Sequence, residues 1–267
     1  MRLLQTTACQ AEPAGERGAR LRQQIAFTLV ELLMVIAIIA IMVGIVVPHF
    51  NLKNSNAMLS ASRQLQDDIN LARLMAINNR SPVYLVMLPQ ISEIIRLNPG
   101  MSTNMFFTNQ TANNLLARQG FTYALYTTRT VGDQPGSFTP RYLTEWRSLP
   151  DGVIIAPRTL VSANVADFSF QTNRSFRFPS VNYPNNILLP SLGFGPTGRL
   201  LDQSVDAVIC LDRGTAFPQV RNASGYLPVQ DQEMIERPPG NWTNEYNHVV
   251  VNWLTGRTKT ERLELQQ

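Results

Sequence analysis

The sequence predicts an α+β chain in which one long N-terminal helix, its first half transmembrane, packs on an antiparallel β-sheet head. Three observations carry this. A dense apolar block runs from Phe27 to Val47, helical spacing resumes after Pro48, and from residue 81 onward short β-type runs alternate with turns. The expected divisions are a cytoplasmic leader over 1–26, a membrane half-helix over 27–47, an amphipathic half-helix over 48–80 and a globular head over 81–267.

The chain has 267 residues, enough for one sizeable domain plus an anchor. The leader carries Arg2, Arg17, Arg20 and Arg22 against Glu12 and Glu16, about half of the formal net charge of +4. Positive charge before an apolar block holds that end on the cytoplasmic side of a membrane. The weakly basic remainder does not by itself imply nucleic acid. Cys9 and Cys210 are the two cysteines. Loss of the leader would leave Cys210 without a partner in its own chain, so no disulfide framework is expected.

As a helix, residues 27–47 would span about 30 Å, the thickness of a bilayer's hydrocarbon core. A secretory signal fits poorly, because Pro48-His49-Phe50-Asn51 follows without a small-x-small cleavage site. Glu31 is the anomaly. An acid at the centre of a lipid-embedded helix costs on the order of 3 kcal/mol, less near its edge, and a plain anchor gains nothing from it. A cut between Ala26 and Phe27 would supply a partner, a new amino terminus one helical turn away. In an array of such helices, the Glu31 carboxylate of one subunit can meet the terminal ammonium of its neighbour, an assembly salt bridge that fixes axial register.

Ala26-Phe27-Thr28-Leu29-Val30-Glu31-Leu32-Leu33 resembles the prepilin peptidase site of type IV pilins and type II secretion pseudopilins. The resemblance implies a pilin-like fold, cleavage before Phe27, N-methylation of Phe27 and assembly into a type IV pilus or type II secretion pseudopilus. It also implies prepilin peptidase, other pilins or pseudopilins and an inner-membrane assembly platform as partners. The implied location is the bacterial inner membrane, single-pass, with the head outside the cytoplasm, and then a filament. Glycine usually precedes the cut in this family; here Ala26 stands there.

Gly44 and Pro48 predict a kink or a locally melted turn. Beyond them Met58, Ala61, Leu65, Ile69, Ala72 and Ala76 recur at spacings of three and four, an apolar stripe that must be covered. Asn78-Asn79-Arg80-Ser81-Pro82 predicts the stop. Strands are expected at Val83–Leu88, Phe121–Thr127, Val153–Ala156, Phe168–Gln171, Asn186–Leu189, Ala207–Leu211, Val249–Leu254 and Thr258–Leu263, with long loops over 89–120 and 212–245.

Gly193-Phe194-Gly195-Pro196-Thr197-Gly198 spells a dinucleotide-type glycine pattern, but no helix is predicted after it and Pro196 interrupts it, so a hairpin turn is expected. Asp67-Asp68 reads as a solvated helix face. Asp202, Asp206 and Asp212 lack the spacing of a calcium loop, and His49 and His248 have no metal-ligand spacing around them in the sequence. No nucleophile elbow or phosphate loop appears, and no enzyme activity, cofactor or metal is expected.

Thr255-Gly256 predicts the turn of a C-terminal hairpin. This ending resembles the GspH/FimT-type minor pseudopilins, as do Leu71-Ala72-Arg73, Leu149-Pro150-Asp151-Gly152-Val153 and Phe194 to Gly198. That likeness implies a minor component rather than a bulk pilin. Relatives serving DNA uptake place basic residues at this hairpin, which makes Arg257, Lys259 and Arg262 candidate phosphate contacts. An edge strand blunted by basic residues is the plainer reading. A membrane-tethered enzyme or binding domain is a third.

Overall fold

The computed structural model describes residues 29–46, 49–130, 132–134, 137–156, 170–178, 186–239 and 247–262. It divides into two units, Met1–Pro48 and His49–Gln267. The first contains helix α1, Leu29–Val46. The second is an α+β head with antiparallel sheets.

The head begins with helix α2, His49–Asn78. Met58, Ala61, Leu65, Ile69, Ala72 and Ala76 are all buried, so the predicted stripe is the face that meets the sheets. Arg80 stops the helix at φ 45°, the left-handed conformation that closes helix ends, while Ser81 N–H bonds the Ala76 carbonyl. The first sheet holds β1 (Val83–Leu88), β2 (Thr122–Thr127), β3 (Arg141–Tyr142), β4 (Arg147–Ser148) and β8 (Ser191–Phe194). Its order is β3-β2-β1-β8, with β4 also pairing β2.

The second sheet holds β5 (Val153–Ile155), β9 (Ala207–Ala216), β10 (Met234–Glu236), β11 (Asn247–Val251) and β12 (Thr258–Arg262). Its order is β10-β9-β11-β12, with β5 on the other side of β9. The head thus carries two main sheets rather than one. Strands β6 (Ser175–Arg177) and β7 (Asn186–Leu188) form a separate pair.

One core joins α2 to both sheets, through Leu85, Leu125, Leu192, Ile209 and Val249 among others. A second lies on the other face of the first sheet and packs Tyr84, Val86 and Leu88 under short helices and the β6–β7 pair. Strand β1 is therefore buried on both faces, which is why Val83–Leu88 is apolar throughout instead of alternating.

Two expected loops are corrected. Residues 89–120 contain α3 (Ile91–Leu97), α4 (Met105–Thr108), α5 (Gln110–Leu115) and a 3-10 turn, Leu116–Arg118. Each is too short to show a helical period. Within 212–245, β9 continues to Ala216 and β10 adds a strand. Strand β11 in turn ends at Val251, and 252–254 belong to the hairpin turn.

Asparagine side chains complete the loops by imitating backbone. Asn113 both donates to the Leu227 carbonyl (3.1 Å) and accepts from the Leu227 N–H (2.9 Å). Asn98 does the same with Leu188, at 3.0 and 2.7 Å. A carboxamide offers one donor and one acceptor side by side, which matches a strand residue's own pair.

The solvated face expected at Asp67-Asp68 is corrected at the second residue. Asp68 is buried, accepts from the Tyr123 hydroxyl at 2.7 Å and is ion-paired with Arg147. Gln64 donates to the same hydroxyl at 3.0 Å. Burial, and then the Asp68 hydrogen bond, push the Tyr123 hydroxyl far above its ordinary range. The network fastens α2 to the first sheet.

Candidate functional site

Two places concentrate the sequence-predicted residues. The first is α1. Glu31 sits in its first turn and is exposed, and every described side chain from Leu29 to Ile39 is exposed with it. Fully burying one such aliphatic side chain is worth about 1.5–3 kcal/mol, so a helix apolar all round demands a surrounding that is not water. Among the described residues no helix is long and apolar enough to cross a membrane; the span expected over 27–47 runs beyond them at both ends. Ala26, Phe27 and Pro48 lie outside the described residues. Gly44 lies within α1.

The second place is a junction in the head where three separated sequence features meet. The turn after β8 closes with Gly198 N–H on the Gly195 carbonyl (2.8 Å), and Phe194 bridges Leu200. The glycine-rich stretch is thus a hairpin turn, as its proline requires. The turn after β11 closes with Gly256 N–H on the Asn252 carbonyl at 2.7 Å, and Asn252 Oδ1 accepts from Thr255 N–H and Oγ1, each at 2.9 Å. Asp206 holds this turn, accepting from Trp253 N–H at 2.9 Å.

The two turns touch. Leu200 N–H donates to the Trp253 carbonyl at 2.9 Å, and Gly256, at φ +64°, lies so close that a Cβ there would overlap the Gly198 carbonyl oxygen. Arg73 of α2 completes the junction: its Nε donates to the Thr255 carbonyl at 2.7 Å. A Cβ on Gly198 would come 2.8 Å from Ile77 and 3.2 Å from Arg73 Nε. Glycine stands at both positions because helix, turn and turn approach within backbone distance.

Charge gathers around the contact. Arg199 and Arg257 are exposed beside the two glycines, and neither is ion-paired among the described residues. Arg199 and Arg257 each follow one of the touching glycines in sequence and Arg73 binds the second turn, so three arginines flank the junction. Lys259, on β12, is ion-paired with Glu261 at 2.5 Å, so its charge is offset. Arg257 directly precedes β12. Arg262 closes β12, and its side chain is outside the described residues. Arg199 escaped the sequence reading, and Arg73 stood out there only by motif likeness; no periodicity relates residues this far apart.

The other titratable candidates do not assemble. Asp202 pairs with Arg174 at 2.5 Å, and Asp206 serves the hairpin. His248 stands opposite Cys210 in the β9–β11 register; burial lowers its pKa and Glu261 opposes that. The side chain of His49 lies outside the described residues. Among the described residues no three His, Cys, Asp or Glu side chains stand close enough to hold a metal.

Residues 21–47 match the family described as the prokaryotic N-terminal methylation motif. That match covers Arg22, the Ala26–Phe27 bond and the apolar block through Val47. It supports a prepilin-type, type IV pilin-like chain anchored in the cell envelope. No curated protein and no solved structure matches the chain.

Proposed function

We propose that this chain is a minor pilin or pseudopilin, cleaved between Ala26 and Phe27 and N-methylated at Phe27 by prepilin peptidase. It then assembles into a type IV pilus or type II secretion pseudopilus. The observation that carries the reading is the methylation-motif match over 21–47 on a helix whose described apolar side chains are all exposed around one carboxylate, Glu31. Residues 27–47 are the membrane segment before assembly, with the head outside the cytoplasm. In the filament the segment exchanges lipid for neighbouring helices, and Glu31 meets the Phe27 ammonium of an adjacent subunit. The proposed helix kink rests on a glycine and a proline four residues apart, Gly44 and Pro48. The GspH/FimT likeness, and with it the minor role, is supported by the junction where Arg73, Gly198 and Gly256 meet, since these lie in the stretches that carry the likeness.

Intact mass and N-terminal sequencing of membrane-extracted protein test the processing. The expected chain begins at N-methylated Phe27; a chain retaining Met1 in cells that process other prepilins counts against the proposal. Glu31→Gln tests assembly. Removing one half of a desolvated ion pair costs about 3–5 kcal/mol, so incorporation into filaments should fall by well over about tenfold while membrane insertion is kept. Unchanged incorporation would reduce the chain to a tethered head.

A second reading, a DNA-uptake minor pilin, is favoured by the three arginines that flank the junction, Arg73, Arg199 and Arg257. Arg199→Gln with Arg257→Gln removes two exposed cations and spares the Arg73 hydrogen bond. If both hold phosphates, the slope of log affinity against log salt should flatten by about 1.8 on duplex DNA. An unchanged slope removes this reading.

A further inference from the structure

We infer that the head carries a strand-accepting cleft for an extended peptide of a partner protein, where β5 stops and β9 runs on. The inference stands apart from the filament reading. The cleft measures about 370 Å3 and is walled by Phe121, Leu149, Ile154 and Leu227. That volume lies within the roughly 300–1,000 Å3 of ligand sites.

Strand β5 pairs β9 only from Ile155↔Leu211 to Val153↔Arg213, and the last bond on that side is Gly214 N–H to the Gly152 carbonyl, 3.1 Å. Gly152, at φ +87°, turns the chain away. Strand β9 continues to Ala216, and Gly214, Thr215 and Ala216 line the cleft. Backbone groups alternate sides along an antiparallel strand. Arg213 and Phe217 bond toward β10, through Arg237 N–H on the Arg213 carbonyl and Phe217 N–H on the Glu233 carbonyl, both 2.9 Å. The even-numbered residues therefore face the β5 side, and the N–H and carbonyl of Ala216 are directed at the cleft.

Two carboxamides, Gln219 and Gln232, stand in the wall of the same cleft. Gln232 is 3% exposed, and its Nε2 donates to the Phe217 carbonyl at 3.2 Å. Gln219 Nε2 donates to the Gln230 carbonyl at 3.0 Å. The Oε1 of each is shielded from solvent and accepts nothing among the described residues. Both oxygens therefore lie behind the surface of the cleft, and what a ligand meets there is the open edge of β9, the donor and acceptor of Ala216, beside apolar side chains. An extended peptide supplies that combination: backbone donors and acceptors along one edge and side chains against the wall.

The test uses the full chain in detergent micelles and, as probe, a capped peptide of roughly seven alternating valines and threonines. Amide hydrogen exchange is read at Ala216, and binding by anisotropy. Saturating peptide should slow exchange at Ala216 by about tenfold or more. A peptide N-methylated on every residue should bind about tenfold more weakly, because it cannot donate along either edge. Ala216→Pro removes the N–H facing the cleft and leaves the β10 side of β9 intact, and should weaken binding to the same degree. Unaltered exchange at Ala216 with millimolar peptide, or equal binding of the fully N-methylated peptide, overturns the inference even if the proline variant fails to fold.

Discussion

Gly256→Ala is expected to abolish cooperative folding of the head or to lower its melting temperature by about 10 °C or more, at 2–4 °C per kcal/mol for a domain of this size. Two costs combine. Gly256 lies at φ +64°, where a Cβ costs roughly 1–2 kcal/mol. That Cβ would also overlap the Gly198 carbonyl oxygen, and a backbone oxygen cannot rotate aside as a side chain can. Relief requires moving one turn off the other, at the expense of the Leu200–Trp253 bond and of Arg73's hold on Thr255. Overpacking of this kind costs about 1–3 kcal/mol and sometimes more. Gly100→Ala isolates the backbone cost, since Gly100 has φ +89° with nothing within 4 Å of its would-be Cβ. Thermal melts followed by near-ultraviolet circular dichroism should separate the two variants widely. Equal melting temperatures would mean that the two turns do not interlock.

The long helix and the strands were legible where one period ran long enough to be read. The stripe from Met58 to Ala76 spans many turns, and each of its residues is buried in the core joining α2 to the sheets. Strand β1 was legible for a different reason: an apolar run of six, closed by Pro82 and Pro89, has few other uses. The helices of 89–120 were not legible, because four to seven residues cannot establish a 3.6-residue period. Their caps are also indirect, as with the Ile91 N–H, which is satisfied by the side chain of Gln119. The division into two sheets was invisible because it depends on which strands pair, and β8 joins β1 across a large sequence separation.

The candidate sites divide along the same line. The anchor motif is a local code of a few residues, so the chain alone identifies it, and the family match covers the same stretch. The junction is the opposite case. Arg73, Gly198 and Gly256 become neighbours only through tertiary packing, and nothing in their local sequence forces the meeting. Asp68 went unread for a related reason: its neighbour Asp67 is exposed, and Arg147, which neutralises Asp68, is remote in sequence. A paired acid and a solvated acid look alike until the partner is seen.

Asp212→Asn is expected to raise stability at neutral and alkaline pH and to flatten its pH dependence between about 4 and 7. Asp212 is 1% exposed in β9, and neither carboxylate oxygen has a hydrogen-bond partner among the described residues. Burial first, and then the negative charge of Glu236, push its pKa up to about 7. Its sheet neighbours do little to help: Ile154 opposite on β5 is apolar, and Glu236 on β10 repels. His248, opposite Cys210 on β11, is itself held toward the neutral form by burial.

Because the folded pKa lies above the unfolded one, the folded chain binds more protons between the two values. The contribution of Asp212 to stability is therefore full below about pH 4, declines as pH rises through about 7, and is lost above it. A shift of about 3 units corresponds to at most about 4 kcal/mol. Asparagine matches the shape of the protonated acid and carries no charge, but its amide also lacks a partner, so the net gain at pH 8 should be nearer about 2 kcal/mol. Glu236→Gln should give a smaller gain of the same sign. Urea unfolding from pH 4 to 8 measures both. If wild type and Asp212→Asn keep parallel pH profiles across that range, the Asp212 carboxylate is not the strained group that its burial in β9 makes it.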